Sequence, residues 1–265
     1  FGKRGTFALV LFAILAFVAF LYLVGQGGLS GQANNGRAHA ASNGLTGFAG
    51  LTRLLEADGV PVVRSRNRAT LDDPGLLVLT PPREADAEEL AEIVERRRTI
   101  GPTMVIAPKW FAMPAGGKAA KPGWVNVLGP AGDWSFELDG QELQFSQVEI
   151  EKGLALWRDA SSEGYLPSDR YAGSIETEDA GGFLDAIVTD DNNHVLAAYP
   201  ADDGSYLDGD LYLDPLRTDG RPSFGVMLVA EPDLLNNWGM ADEDRAALAL
   251  ELVDIARQGT DGPVR

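Results

Sequence analysis

The longest apolar run in the chain comes at its start. Residues 6–24 read TFALVLFAILAFVAFLYLV, without a single charge. At about 1.5 Å per residue, a helix of that length covers the roughly 30 Å of a bilayer's hydrocarbon core. Lys3 and Arg4 precede the run, and residues 25–32 behind it are uncharged. That asymmetry puts the N-terminus in the cytoplasm and the remainder outside. A cleaved signal would have an apolar stretch of about 7–15 residues with a small-residue cleavage site close behind. Here the run is longer, and the nearest A-x-A pattern, Ala38-His39-Ala40, lies well past its end. The pattern predicts one transmembrane anchor over residues 1–25, touching lipid through residues 6–24. A Gly/Asn/Gln-rich tether over 26–41 follows. The soluble domain is expected on the periplasmic side of a bacterial-type inner membrane.

Beyond the tether the apolar positions recur with two periods. Leu45, Phe48, Leu51, Leu54 and Leu55 follow Ser42 at helical spacing, with Ser42 as the expected cap. Val60 to Val63 is a short apolar run. Residues 75–80 are a continuous one, stopped by Pro81-Pro82, as in a strand buried on both faces. Asp86 and Glu89 have capping-box spacing before Leu90, Ile93 and Val94, and Arg96, Arg97 and Arg98 suit a helix C-terminus. Residues 103–107 read as another strand. Residues 113–123 are a Pro/Gly/Ala/Lys loop by composition. Alternation in 134–138 and 143–148 around Asp139-Gly140 predicts a hairpin. Apolar runs return at 182–190, 195–199 and 223–230, and a helix is expected over 241–256. Helix, strand, strand, helix, strand is the order of a parallel α/β sheet with crossover helices. The expectation is therefore an α/β domain over 42–258, its sheet mostly parallel and flanked by helices. A β-rich insertion occupies about 112–180, and a tail covers 259–265.

Composition narrows the chemistry. A net charge of −17 argues against nucleic acid, which is held by Lys and Arg on phosphates, and against a domain lying flat on anionic lipid. There is no cysteine, so disulfides, thiolate metal sites and a cysteine nucleophile are excluded.

Three segments resemble one family. Ser42-Asn43-Gly44 with Leu54-Leu55 and Gly59-Val60 is similar to the opening helix and strand of the bacterial membrane family catalogued as domain of unknown function 4350. Leu76 to Pro82 is similar to its second strand. Residues 231–237 with Asp244 are similar to its closing motif. The resemblance implies an amidotransferase/flavodoxin-like fold, close to class I glutamine amidotransferase domains but without their active cysteine. It also implies a second membrane helix near the C-terminus, for which no apolar run occurs before Arg265.

Candidate sites are few. A serine hydrolase needs an activating base, and the histidines are His39 in the tether and His194 in an Asp/Asn-rich segment that reads as a turn. No G-x-S-x-G elbow exists. Asp202, Asp203, Asp208, Asp210 and Asp214 offer oxygen ligands, but not at EF-hand spacing. They read as a solvated strand face. Gly44, Gly47 and Gly50 read as packing glycines rather than an anion site. The strongest local signal is Glu231, Asp233, Asn236, Asn237 and Trp238 after a buried strand, joined by Ser42 and Asn43 as binding candidates. No catalytic residue, metal or cofactor is assigned. Two functions remain open. One is a non-catalytic accessory or scaffold subunit partnering an integral membrane protein or complex. The other is a hydrolase or transferase using the carboxylates near Glu231, with or without a divalent cation.

Overall fold

The structure, a computed structural model, describes residues 37–65, 67–117, 120–150, 156–168, 170–177, 184–200 and 224–265, together with Phe12, Ala16 and Phe17. Most of the expected membrane run thus lies outside the described residues. Among the described residues no helix is long and apolar enough to cross a membrane.

The apolar runs become strands of one seven-stranded sheet. In chain order these are β1 (Leu77–Leu79), β2 (Thr103–Ile106), β7 (Leu156–Arg158), β8 (Glu163–Tyr165), β10 (Leu184–Asp190), β11 (Val195–Pro200) and β12 (Val226–Val229). Their spatial order is β1-β2-β12-β11-β10-β7-β8. Only β1, β2 and β12 run parallel to one another. Every other pairing in the sheet is antiparallel. A hairpin, β3 (Trp110–Pro114) with β4 (Val125–Pro130), and an antiparallel trio, β5 (Trp134–Leu138), β6 (Gln141–Glu149) and β9 (Tyr171–Thr177), complete the strands.

The expected mostly parallel, amidotransferase/flavodoxin-like sheet is therefore corrected to a mixed α/β fold with mostly antiparallel strands in several sheets. Parallel neighbours need a crossover of a dozen or more residues. β10 and β11 are joined by Asp191 to His194 alone and must return antiparallel. Their apolar texture misled because β11 is covered on both faces. Ala197 faces the helices, whereas Ala198 faces the small sheet.

Alternation within the central strands builds two cores. Met104, Ile106, Met227 and Val229 pack against Leu51 and Leu55 of α1 (Ala49–Ala57) and Leu248 and Leu252 of α3 (Glu243–Arg257). Val105 and Leu228 point the other way, onto Leu90 and Val94 of α2 (Ala87–Arg97) and onto Phe136, Phe145 and Ile175 of the trio. The result is helices, large sheet, then helix plus small sheet.

Local signals were realised where the chemistry is local. The Asp86 side chain accepts from the amides of Glu88 and Glu89. Asp139 and Gly140 both have positive φ, 54° and 74°, as a two-residue hairpin turn requires. Ser42 does not cap a helix. Phe48 occupies that position, and residues 42–47 form turns beside the closing loop. The 113–123 segment, expected as a loop, supplies the end of β3, Met113 and Pro114, and stops short of β4 at Val125. The final residues add to the sheet's edge, with the Val78 amide donating to the Arg265 carbonyl and the Arg265 amide to that of Leu76.

Candidate functional site

β2 and β12 are parallel neighbours in register, Ile106 opposite Val229, so their carboxyl ends emerge side by side. In α/β sheets that edge is where polar loops gather. Lys109 leaves β2 and Glu231 leaves β12, and they meet. Lys109 Nζ donates to Glu231 Oε1 at 2.7 Å, Glu231 Oε2 at 2.6 Å and Asp233 Oδ2 at 2.8 Å. The three side chains of this ion cluster are completely shielded from solvent.

Each carboxylate is also held by neutral donors. Glu231 accepts from the Gly173 amide at 2.8 Å and the Asp233 amide at 3.0 Å. Asp233 accepts from Trp110 Nε1 at 2.8 and 2.9 Å and from Asn236 Nδ2 at 2.6 Å. Lys109 Nζ lies 4.7 Å from the Trp110 ring centroid. Trp110 in turn packs on Trp238 at 5.9 Å and Tyr171 at 6.3 Å.

One cation beside two buried carboxylates is an unequal match. Burial pushes Glu231 up to about 7, against the pull of Lys109, and the Asp233 charge adds to the push. Burial opposes the Lys109 ammonium as well, but Asp233 and Glu231 outweigh it and hold the group above its ordinary value. The cluster is thus poised to hold a proton on Glu231 near neutral pH.

The remaining expected residues extend this centre into a loop clasp. Asn236 Oδ1 accepts the amides of Trp238 at 2.9 Å and Gly239 at 3.1 Å. Asn237 Oδ1 accepts the Gly50 amide at 2.6 Å, and its Nδ2 donates to the carbonyls of Ser42 and Gly44. Ser42 is buried and its Oγ accepts the Gly44 amide. Asn43 is exposed and accepts from Arg53. So Glu231, Asp233 and Asn236 form the buried centre, Asn237 ties it to residues 42–50, and Trp238 faces Trp110. A Cβ on Gly47 would stand 2.3 Å from the Ser42 carbonyl oxygen, which accounts for that glycine by close packing.

His194 sits in the β10–β11 turn, its Nδ1 2.7 Å from buried Asp190 Oδ2, while Asp190 Oδ1 accepts the amides of Asn192 and His194. The aspartate ties down the turn. The acidic cluster from Asp202 to Asp214 lies outside the described residues. Among the described residues no group of three or more His, Asp or Glu is placed to hold a metal.

Sequence reasoning missed Lys109, Trp110, Tyr171 and Gly173. The usable signal for Lys109 was its place. It follows an apolar strand and a proline, as Glu231 follows one and precedes one. Gly173 gives no such signal. Its role comes from β9 crossing so close that a Cβ would lie 2.0 Å from the Ala230 carbonyl oxygen.

No curated protein and no solved structure matches the chain. A family model does, over residues 40–253, a span that takes in both strand ends, the ion cluster and the loop clasp. The chain therefore belongs to the family described as a domain of unknown function (DUF4350).

Proposed function

We propose that the chain is a non-catalytic binding domain held at a bacterial inner membrane, where it serves as an accessory or scaffold subunit of a membrane protein complex. The observation that carries the non-catalytic part is the sealing of Glu231 and Asp233. Both are wholly buried, and both are occupied by protein donors. A general acid or base must come within hydrogen-bond reach of the proton it moves. These carboxylates instead join the start of β3, the closing loop and β9. The membrane part rests on the sequence, through the uncharged residues 6–24 and the preceding Lys3 and Arg4.

The test is purification of the full-length protein from its native membrane in mild detergent, followed by sizing. Stoichiometric migration with a larger complex is the expected result. Migration alone overturns the subunit reading. Release of the chain from membranes by an alkaline carbonate wash overturns the membrane reading.

A further inference from the structure

From Arg96 to Gly132 there is no Asp or Glu, in a chain that has 39 of them and a net charge of −17. Between Trp110 and Gly132 the charged residues are Lys118 and Lys121. This acid-free stretch is the one that forms the β3–β4 hairpin, which joins neither larger sheet among the described residues.

The hairpin is two-faced. Its register sets Phe111 opposite Gly129 and Met113 opposite Asn126, with a bulge between them at Leu128. The Ala115 amide donates to the Trp124 carbonyl at 2.7 Å, extending the pairing to Trp124. Side chains alternate along a strand, so Phe111, Met113, Trp124, Asn126 and Leu128 share the outer face. Four of these are large and apolar, and they are 56%, 51%, 52% and 59% exposed for Phe111, Met113, Trp124 and Leu128. The inner face, with Trp110, Ala112, Val125 and Val127, is half-buried. Lys121 Nζ stands 5.5 Å from the Trp124 ring centroid. A contiguous exposed apolar face of this kind marks an interaction surface.

We propose that this outer face enters the headgroup layer of an anionic bilayer, Trp124 at the interface and Lys121 at the level of the phosphates. The inference rests on the membrane reading above and names the lipid contact. Charge selects lipid as the occupant. The acidic body is repelled by anionic headgroups, whereas the projecting hairpin carries only positive charge, so contact is confined to it. Its apolar set suits the same place, because Trp combines an apolar body with a polar edge and Phe, Met and Leu fill the acyl boundary. The base is fixed, since Trp110 is bonded to Asp233 and Lys109 to both buried carboxylates.

The absence of cysteine makes a single-label test clean. Full-length Met113→Cys carries an environment-sensitive NBD label, and Glu92→Cys, at an exposed position of α2, is the control. Each is reconstituted into vesicles of phosphatidylcholine alone or mixed equally with phosphatidylglycerol. The expected result is a blue shift and quenching by nitroxide lipid at position 113 but not at 92. The effect should be larger in the anionic vesicles and reduced by Lys121→Glu. An aqueous signal at position 113, in chain that does sit in the vesicle fraction, overturns the hairpin inference and leaves the membrane reading standing. Chain absent from the vesicle fraction overturns both. A shift seen only in native membranes, and not in lipid vesicles, assigns the face to a protein partner and overturns the lipid proposal.

Discussion

A lysine ammonium removed from water is tolerated only if its donors are all taken up, and Lys109 meets that condition with two carboxylates and an aromatic face. The dependence is mutual. Taking away the cation leaves the Asp233 charge buried with no cation to offset it, and pushes Glu231 further toward its protonated form. Lys109→Met is therefore expected to lower stability by about 3–5 kcal/mol, the range for breaking a buried charge cluster by removing one partner. Adding Glu231→Gln and Asp233→Asn to that variant should recover much of the loss, because the uncompensated charge is then gone. Urea unfolding with an unchanged slope is the measurement. A Lys109→Met loss below about 1 kcal/mol would sink the idea that the cluster is closed to water. Arg97 makes a parallel case. Its buried guanidinium reaches the carbonyls of Leu71 at 3.0 Å, Asp73 at 2.5 Å, Gly75 at 2.5 Å and Pro102 at 3.3 Å, and burial brings it down to about 10. The helix-dipole role read from its place in the last turn of α2 understates a residue that ties together the backbone ahead of β1 and β2.

Among the elements, β9 has the least room. It pairs with β6 along its whole length, and at Gly173 its backbone reaches the loop leaving β12, donating to Glu231. Gly173→Ala would put a Cβ against a backbone carbonyl that cannot swing aside. It should cost about 1–3 kcal/mol, as overpacking does, and loosen the Glu231 contact with it. Gly116→Ala, where nothing lies within 4 Å, should stay within about 0.5 kcal/mol. Thermal melts of the two variants decide it, and equal effects would argue that β9 is not pinned. The same contrast explains what the sequence could disclose. Asp86 capping α2 and Asp139-Gly140 turning β5 into β6 depend on neighbours a few residues away, and were legible. Glu231, Asp233 and Asn236 were picked out because a polar cluster after a buried strand is a local anomaly. Their partners were not, since Lys109 is brought to Glu231 by strand order, which an apolar run does not encode. The β3–β4 hairpin was missed because its Pro, Gly and Lys residues imitate a loop, while the alternation of Trp110 to Met113 is short. Antiparallel β11 looked parallel because a second sheet hides the solvent face that normally betrays such a strand.

At the scale of the whole molecule, three layers meet around an unbalanced charge, so stability carries a pH signature of definite sign. Glu231 titrates at about 7 in the fold and at its ordinary 4.5 when unfolded. Below 4.5 both states hold the proton, and the group contributes no pH slope. Between 4.5 and 7 the folded state binds a proton that the unfolded state has released. The slope of unfolding free energy, set by protons bound in the unfolded minus the folded state, is then negative. Stability should fall as pH rises through this window, by up to about 1.4 kcal/mol per pH unit from this group. Asp159 moves the other way, held below its usual range by the Ser161 and Ser162 donors despite partial burial, so whole-protein stability mixes opposite signs. The isolating measurement is therefore the stability difference between wild type and Glu231→Gln. Wild type should lose ground to the variant steadily from about pH 4.5 to 7, and the difference should level off above that. A difference that instead moves in favour of wild type as pH rises means that Lys109 outweighs burial. Glu231 would then be ionised throughout, and the cluster would be an ion triad carrying net negative charge rather than a neutral pair beside a proton-bearing acid.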